Sequence, residues 1–304
     1  MSEQSTLEPQ GSAPRAKRAT RERLDVLVVE RGLAPSRERA RALIMAGEAR
    51  VNDRLVDKPG TLVAIDASIE LASPSAELRY VSRGGLKLER ALDAFALDPA
   101  DLVCLDVGAS TGGFTDVLLR RGARRVYAVD VGRGQLAWPL RNDPRVVVME
   151  RTNIRQLSKL PEPIACAVID VSFISLRLVL PVVANLVSVG GWVVALVKPQ
   201  FEAGRAEADR GAGVISDPAV HVRVLCDLLA SLDAPESRLL ARGLIPSPIT
   251  GRDGNREYLL RLEVRATKRD PSAHLGGGLA ASQLAAIVAD AFEARTPVRR
   301  EGSG

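Results

Sequence analysis

Leu102 to Thr115, Leu-Val-Cys-Leu-Asp-Val-Gly-Ala-Ser-Thr-Gly-Gly-Phe-Thr, constrains this chain more than any other stretch. A short apolar run ends in Asp106, a turn follows with glycines at 108, 112 and 113, and a helix starts near Phe114. Gly108 permits a tight turn without a Cβ clash, and Gly112 and Gly113 let backbone or a ligand come close. A strand feeding a helix through such a turn belongs to an open α/β sheet, whose ligands bind at the carboxyl ends of the strands. Asp106 puts a carboxylate at that mouth. Three residues separate Gly108 from Gly112, so this is not the Gly-x-Gly-x-x-Gly of a dinucleotide fold. Taken alone, the motif also fits a generic strand–turn–helix with glycines kept for packing.

The rest of the chain extends the pattern. Strand-like runs fall at 102–107, 125–130, 146–149, 165–171, 191–197, 239–245 and 257–264, with helical stretches near 113–121, 134–140, 174–187 and 217–232. Such alternation predicts a mostly parallel sheet covered on both faces. The last two runs leave no room for a helix between them, which predicts an antiparallel terminal hairpin. Leu86, Leu88, Leu92 and Phe95 predict a helix ahead of the sheet, and Leu284, Ile287, Val288, Ala291 and Phe292 predict one near the C-terminus.

Residues 22–75 form a different unit. Leu24, Val28 and Val29 recur near helical spacing and Gly32 ends that helix, while Ser36 caps a second helix over Arg37 to Ala46. Arg50-Val-Asn-Asp-Arg-Leu-Val reads as a hairpin turning at Asn52-Asp53, with short strands around 62–65 and 68–71. From Arg15 to Lys58 there are twelve Lys/Arg against seven Asp/Glu, an excess of five that equals the net charge of the whole chain. A helix pair and hairpin with basic residues on one side suits RNA phosphates, although a solvated charged face has the same composition. Residues 1–20, rich in Ser, Pro, Gln, Ala and Arg, are expected to be disordered.

At 304 residues the chain is long enough for about two domains. Aromatic residues make up only 3%, which argues against a base-stacking sheet. Cys104 and Cys166 lie in apolar runs and read as small core residues, and with Cys226 they form neither a disulfide framework nor a zinc site. The two histidines, His221 and His274, read as structural or surface residues, so no metal is expected. The longest apolar stretch, Leu176 to Val189, is broken by Arg177, Pro181 and Asn185 and is shorter than the roughly 20 residues of a membrane span. With no apolar signal core at the N-terminus, a cytoplasmic location is expected.

Chemistry-bearing residues gather at the ends of the strands. Asp130 closes the second run, where a carboxylate can accept hydrogen bonds from both hydroxyls of a ribose. Asn153 follows the third run and suits either an adenine edge or a helix N-cap. A pyrophosphate wants a compact turn and helix N-terminal amides. The wider turn and the Asp106 carboxylate suit the ammonium and sulfonium of S-adenosylmethionine (SAM) instead. Asp170 and Lys198 end the fourth and fifth runs, with a structural ion pair as the competing reading. Lys87 and Glu257 are placed to join them.

Two resemblances follow from these residues. Arg23-Leu-Asp, Gly32-Leu, Ser36-Arg-Glu-Arg-Ala-Arg, Gly47 and Val51-Asn resemble the S4 RNA-binding domain. That match implies RNA contacts at Arg23, Arg37, Arg41 and Arg50, with Arg83 added at the opening of the second unit. Asp106-Val-Gly-Ala-Ser-Thr-Gly-Gly-Phe-Thr-Asp, Val129-Asp-Val-Gly-Arg-Gly-Gln-Leu, Asp170-Val-Ser-Phe-Ile-Ser-Leu, Val197-Lys-Pro-Gln-Phe-Glu and Ser247-Pro-Ile-Thr-Gly-Arg-Asp-Gly-Asn-Arg-Glu-Tyr resemble the TlyA family. The resemblance covers roughly Arg21 to Val264. It implies an α/β, Rossmann-like class I SAM-dependent methyltransferase with a mostly parallel seven-stranded sheet, preceded by a small α+β S4 domain. The implied boundaries are a tail over 1–20, the S4 domain over 21–78, a linker over 79–82, the FtsJ-like methyltransferase domain over 83–265 and an extension over 266–304.

The implied activity is SAM-dependent 2′-O-methylation of ribosomal RNA at cytidine. A catalytic tetrad would fall on Lys87, Asp170, Lys198 and Glu257. The cofactor set would be Asp106, Gly108, Ala109, Ser110, Thr111, Gly112, Gly113, Phe114, Asp130, Val131, Asn153 and Asp170. A ribose hydroxyl is a poor nucleophile, and a lysine takes its proton only when neutral. From an ordinary pKa of about 10.4, a nearby cation and burial must bring it down. The family's linker carries a Trp where this chain has Arg79-Tyr80-Val81. The alternatives are a non-catalytic RNA-binding or ribosome-assembly module and a hemolysin, a label attached to this family.

Overall fold

A computed structural model of the chain describes residues 20–34, 36–45, 47–71, 79–204, 207, 213–234, 236–251, 254–266 and 281–293. Residues 1–19 of the tail expected over 1–20, and His274, lie outside them. The chain divides into two compact units between Ser73 and Pro74.

In the first unit, β1 (Arg21–Arg23) leads straight into α1 (Leu24–Glu30), and α2 (Arg37–Met45) follows. Gly32 takes φ +70 after α1, a left-handed conformation that glycine adopts freely. A sheet of β2 (Ala49–Val51), β3 (Arg54–Leu55) and β5 (Ile69–Leu71) has β2 at its centre, while β1 pairs antiparallel with β4 (Leu62–Ala64). Asn52 and Asp53 both have positive φ, as the β2–β3 hairpin turn requires. Leu24, Val28, Ala40, Ile44 and Ala49 are fully buried and form the centre of this small core.

The second unit is a seven-stranded sheet. Its strands are β6 (Val103–Val107), β7 (Arg125–Val129), β8 (Val146–Met149), β9 (Ile164–Ile169), β10 (Val187–Val197), β11 (Leu239–Pro246) and β12 (Tyr258–Val264). The order is β11-β12-β10-β9-β6-β7-β8; β12 runs antiparallel to β10 and β11, and the other pairings are parallel. The helices are α3 (Gly84–Ala94), α4 (Gly113–Arg120), α5 (Trp138–Arg141), α6 (Leu176–Leu186), α7 (Pro199–Glu202), α8 (Pro218–Ser231) and α9 (Ala281–Glu293).

Strand alternation builds two cores. Val103, Leu105 and Val107 face one side with α6 and α8, while Cys104 faces the other with α3 and α4. Cys104 and Cys166 meet across β6 and β9 as buried free thiols. Two of the expected elements have different bounds. β10 starts at Val187 rather than 191, because Val187 pairs with Ile164 before a register shift that spans Gly190 and Gly191. The helix expected over 134–140 shrinks to Trp138–Arg141, since Asp130, Ser110 and Glu150 engage the loop before it through Gly132, Gln135 and Gly134.

The order of strands sets the working edge. β6 has β7 on one side and β9 on the other, so connections leave its carboxyl end in opposite directions and open a crevice there. Gly108 lies in that crevice at φ +84, and a Cβ on it would fall 2.3 Å from the Asp170 carbonyl oxygen.

Candidate active site

Four chain segments deliver charged side chains to this edge. Lys198 follows the last residue of β10, and Asp170 follows the last residue of β9, its parallel neighbour. The Lys198 Nζ lies 2.6 Å from Asp170 Oδ1 and donates to Ser172 Oγ at 2.9 Å. Glu257 immediately precedes β12, where Tyr258 pairs with Val197, so antiparallel pairing places Glu257 beside Lys198. Lys87 rises from the first turns of α3 and donates to Glu257 Oε2 at 2.5 Å. Both members of this second pair are buried. Burial pushes the Glu257 carboxyl above its ordinary range, against the pull of Lys87 and Lys198, while Asp170 adds to the upward push. The four residues expected as a tetrad are thus brought into one electrostatic cluster.

The glycine turn borders the cluster. Asp106 is completely buried on the α4 side of β6. Thr115 donates to its Oδ2 at 2.6 Å, while its Oδ1 is buried with no hydrogen-bond partner among the described residues. Burial, with smaller contributions from Asp170 and Asp130, pushes the Asp106 carboxyl up to about 7, although hydrogen bonds from Thr115 oppose this. At the end of β7, Asp130 receives the Ser110 amide at 2.8 Å and the Gly132 amide at 2.7 Å, one on each oxygen. Its carboxylate is therefore aimed by backbone and retains lone pairs for further donors.

The other expected cofactor residues divide. Gly112 takes φ +94 and starts the turn of α4, closely covered by Leu136 and Leu140. Ala109 and Phe114 are buried in the core, so only their backbone faces the loop, whereas Val131 is exposed. The Thr111 carbonyl accepts from the Ala137 amide. Asn153 caps the short turn Ile154–Gln156 by accepting from the Arg155 amide, the second of its two readings from sequence.

Several residues at this edge were not singled out from sequence. Phe173 is 90% exposed at φ +63, and its ring lies 5.0 Å from that of Phe201, over which Lys198 sits at 5.8 Å. Glu202 accepts from the Ser175 hydroxyl at 2.6 Å and the Leu176 amide at 2.7 Å, tying α7 to the start of α6. Phe173, Phe201 and Glu202 all sit inside motif segments, where the signal was the company of Asp170 and Lys198.

In the first unit, Asp25 is fully buried and holds two of the expected arginines. Arg23 binds it through Nε at 2.9 Å and Nη2 at 3.0 Å, and Arg37 through Nε at 3.1 Å. Hydrogen bonds and charge from both arginines hold the Asp25 carboxyl below its ordinary value, outweighing burial, which is the largest single effect and acts upward. Arg41 is exposed on α2, and Arg50 donates to the Asp53 carbonyl on the hairpin. Arg83, half-buried before α3, belongs to the second unit. Among the described residues, no group of three or more His, Cys, Asp or Glu is placed to hold a metal ion, and no helix is long and apolar enough to cross a membrane.

The seven-stranded, mostly parallel sheet is that of a methyltransferase, and comparison with known proteins agrees. The FtsJ-like methyltransferase family matches residues 80–264 and the S4 domain matches residues 22–69. The chain belongs to the FtsJ-like methyltransferase family, with an S4 domain in front. It is 47% identical over 254 residues to the 16S/23S rRNA (cytidine-2′-O)-methyltransferase TlyA of Mycobacterium tuberculosis, covering 82% of this chain and 92% of that protein. It is 38% identical over 240 residues to Hemolysin A of Brachyspira hyodysenteriae, covering 78% of this chain and 98% of that one. A solved structure from Streptococcus thermophilus, described as a hemolysin, superposes with a TM-score of 0.66 at 43% identity, covering 90% of this chain and 97% of that chain.

The buried Asp106 makes a stability prediction. A carboxyl with a raised native pKa lowers stability as pH climbs from its unfolded value near 4 to its native value near 7, and the loss is complete above that. Asp106→Asn removes the ionisable group but keeps an acceptor for Thr115. The variant is expected to be more stable than the parent at pH 8, by on the order of 2–4 kcal/mol, and to lose this advantage toward pH 4. Denaturant unfolding of both proteins across that range measures it; a constant difference would contradict the assignment.

Proposed function

We propose that the chain transfers a methyl group from SAM to a ribose 2′-hydroxyl of ribosomal RNA, at cytidine. The single observation that carries this reading is the pairing Lys198–Asp170 and Lys87–Glu257 at one sheet edge, beside the Asp106 loop. The names of the similar proteins support the substrate class. The chemistry of the groups around the Gly108 crevice supports SAM as the donor. Asp106 Oδ1 is a buried acceptor with no partner among the described residues, and Asp130 is held by two backbone amides. Gly108 keeps the floor of the crevice free of a Cβ. Asp106 would meet the ammonium group and Asp130 the ribose hydroxyls. When bound, SAM supplies an activated methyl on a sulfonium.

The chain's residues then have to hold a ribose in line and move one proton. Lys198 is fixed by Asp170 and Ser172, so its Nζ is aimed rather than free to rotate. It orients the 2′-hydroxyl, and in its neutral form takes up the proton that leaves as the oxygen gains the methyl group. Lys87, clamped by Glu257, supplies a second positive charge at the same edge. Positioning of this kind accounts for much of the rate in an in-line transfer. Phe173, exposed and held at a left-handed φ, offers a ring face on which the base of the target nucleotide stacks. In the first unit, Arg23 and Arg37 share one buried carboxylate and present their remaining N–H donors in fixed directions toward phosphates.

Three outcomes are expected. Lys198→Ala lowers methyl transfer by about 10³-fold or more, while calorimetry finds SAM binding within a few-fold of the parent. Full activity in that variant on ribosomal RNA would sink the catalytic assignment. Phe173→Ala leaves SAM affinity unchanged and lowers kcat/KM for RNA by about 10–100-fold, the worth of one stacked base. Asp25→Asn weakens RNA binding by about 3–10-fold in a filter assay, although it makes the domain more basic. Tighter binding would mean that charge alone matters and orientation does not.

A further inference from the structure

The last turn of α9 reaches the residue beside Glu257. Arg256 Nε donates to the Ala291 carbonyl at 2.8 Å and Nη2 to the Phe292 carbonyl at 3.5 Å, and the guanidinium sits 4.0 Å from the Phe292 ring centroid. A helix leaves its last carbonyls without partners and carries negative potential at that end. One arginine answers both and adds a cation–π contact. Leu284 and Val288, two and one turns earlier, are buried in the core under the sheet. The helix therefore offers Arg256 a fixed anchor.

The neighbours of Glu257 are fastened in the same way. Asn255 donates to the Gly213 carbonyl and accepts from the Ile215 amide. The Tyr258 hydroxyl lies 2.8 Å from His221 Nδ1, and His221 Nε2 lies 2.9 Å from the Ile215 carbonyl. A carbonyl only accepts, so Nε2 carries the proton and the tyrosine donates to Nδ1. His221 in turn meets the Phe292 ring edge-on at 5.0 Å. Meanwhile the β10–β12 ladder ends at Tyr258, opposite Val197. Glu257 lies one residue beyond that last rung. Successive side chains of extended chain point to opposite sides, so the direction of Arg256 sets that of Glu257.

We infer that Arg256 is a positioning residue: α9, through it, holds the Glu257 carboxylate in register on Lys87. The C-terminal helix is then part of the catalytic apparatus although it contributes no group to the tetrad. This rests on the methyl-transfer reading of that cluster, and its test has one arm independent of activity.

The variants are Arg256→Ala, Arg256→Lys, Glu257→Gln and the double variant Arg256→Ala/Glu257→Gln, with Phe292→Leu as a milder change should Arg256→Ala fold poorly. In the absence of RNA and SAM, hydrogen exchange is expected to quicken at the Ser247 and Gly251 amides of Arg256→Ala, since these donate to the Glu257 and Asn255 carbonyls. In turnover, Arg256→Ala is expected to lower kcat about tenfold with KM for SAM and RNA within about twofold. Arg256→Lys restores part of it. Added to Glu257→Gln, the change costs less than about twofold more, because both act on one carboxylate. Unchanged exchange overturns the inference whether or not the parent transfers methyl groups. A kcat loss that multiplies fully with Glu257→Gln, or no loss at all, overturns it as well, by leaving Arg256 a merely structural role. An inactive parent with quickened exchange overturns the methyl-transfer reading and upholds the clamp.

Discussion

The buried ion pair of Lys87 and Glu257 ties together residues 170 positions apart. It joins the first turns of α3, which precede the sheet, to the entrance of β12, its last strand but one in space. Two charges taken out of water are tolerated only with good geometry, and removing one partner from such a pair costs about 3–5 kcal/mol. The pair therefore commits α3 to one side of the sheet edge and β12 to its register against β10. That register in turn brings Glu257 beside Lys198, and parallel pairing of β9 with β10 brings Asp170 to Lys198. The stability of the edge and its chemical groups are the same set of bonds.

Much of this was legible beforehand, for reasons that differ by residue. The order of the elements follows from hydrophobic period and length, so the alternation and the terminal hairpin were visible. Asp106, Asp130, Asp170 and Lys198 each end an apolar run, a pattern that points to a strand mouth without any pairing information. What was not legible depends on contacts between distant segments. Nothing in Arg23-Leu-Asp or Ser36-Arg-Glu says that Asp25 holds Arg37, twelve residues on, and the charge count points only to a basic face. Asn153 is the mirror case: its Oδ1 caps the turn through the Arg155 amide, one of the two readings that its position offers. Phe173 was hidden because aromatic composition argues about whole surfaces, whereas its role turns on one ring at one φ.

Three buried carboxylates show how environment sorts identical groups. Asp25 has two guanidinium partners and stays ionised. Glu257 has lysine partners but is buried enough to be pushed upward. Asp106 is held by Thr115 and by no cation among the described residues, and burial dominates. The ranking follows from the balance in each case between burial and the cations that the carboxylate faces. Asp106 is thus the group with the most to gain from a cationic ligand, and natural selection for stability alone would have replaced it with a neutral residue.

The segment Arg79-Tyr80-Val81 belongs to this logic. The Tyr80 ring is buried so closely over Gly85 that a Cβ there would fall 2.4 Å from Tyr80 Cγ. Its hydroxyl donates to Glu89 on α3, while the Val81 amide donates to Asp116 on α4 at 2.8 Å. Asp116 also holds Arg120, whose guanidinium sits 5.4 Å from the Tyr80 ring centroid. One short stretch therefore brackets α3, which carries Lys87, to α4, which begins at the glycine turn. A Trp at this point could supply the ring but not an O–H at the same place for Glu89. The tyrosine exchanges some buried apolar area for a hydrogen bond to a carboxylate. It keeps the bracket through direction rather than bulk, as Asp25 and Arg256 keep theirs.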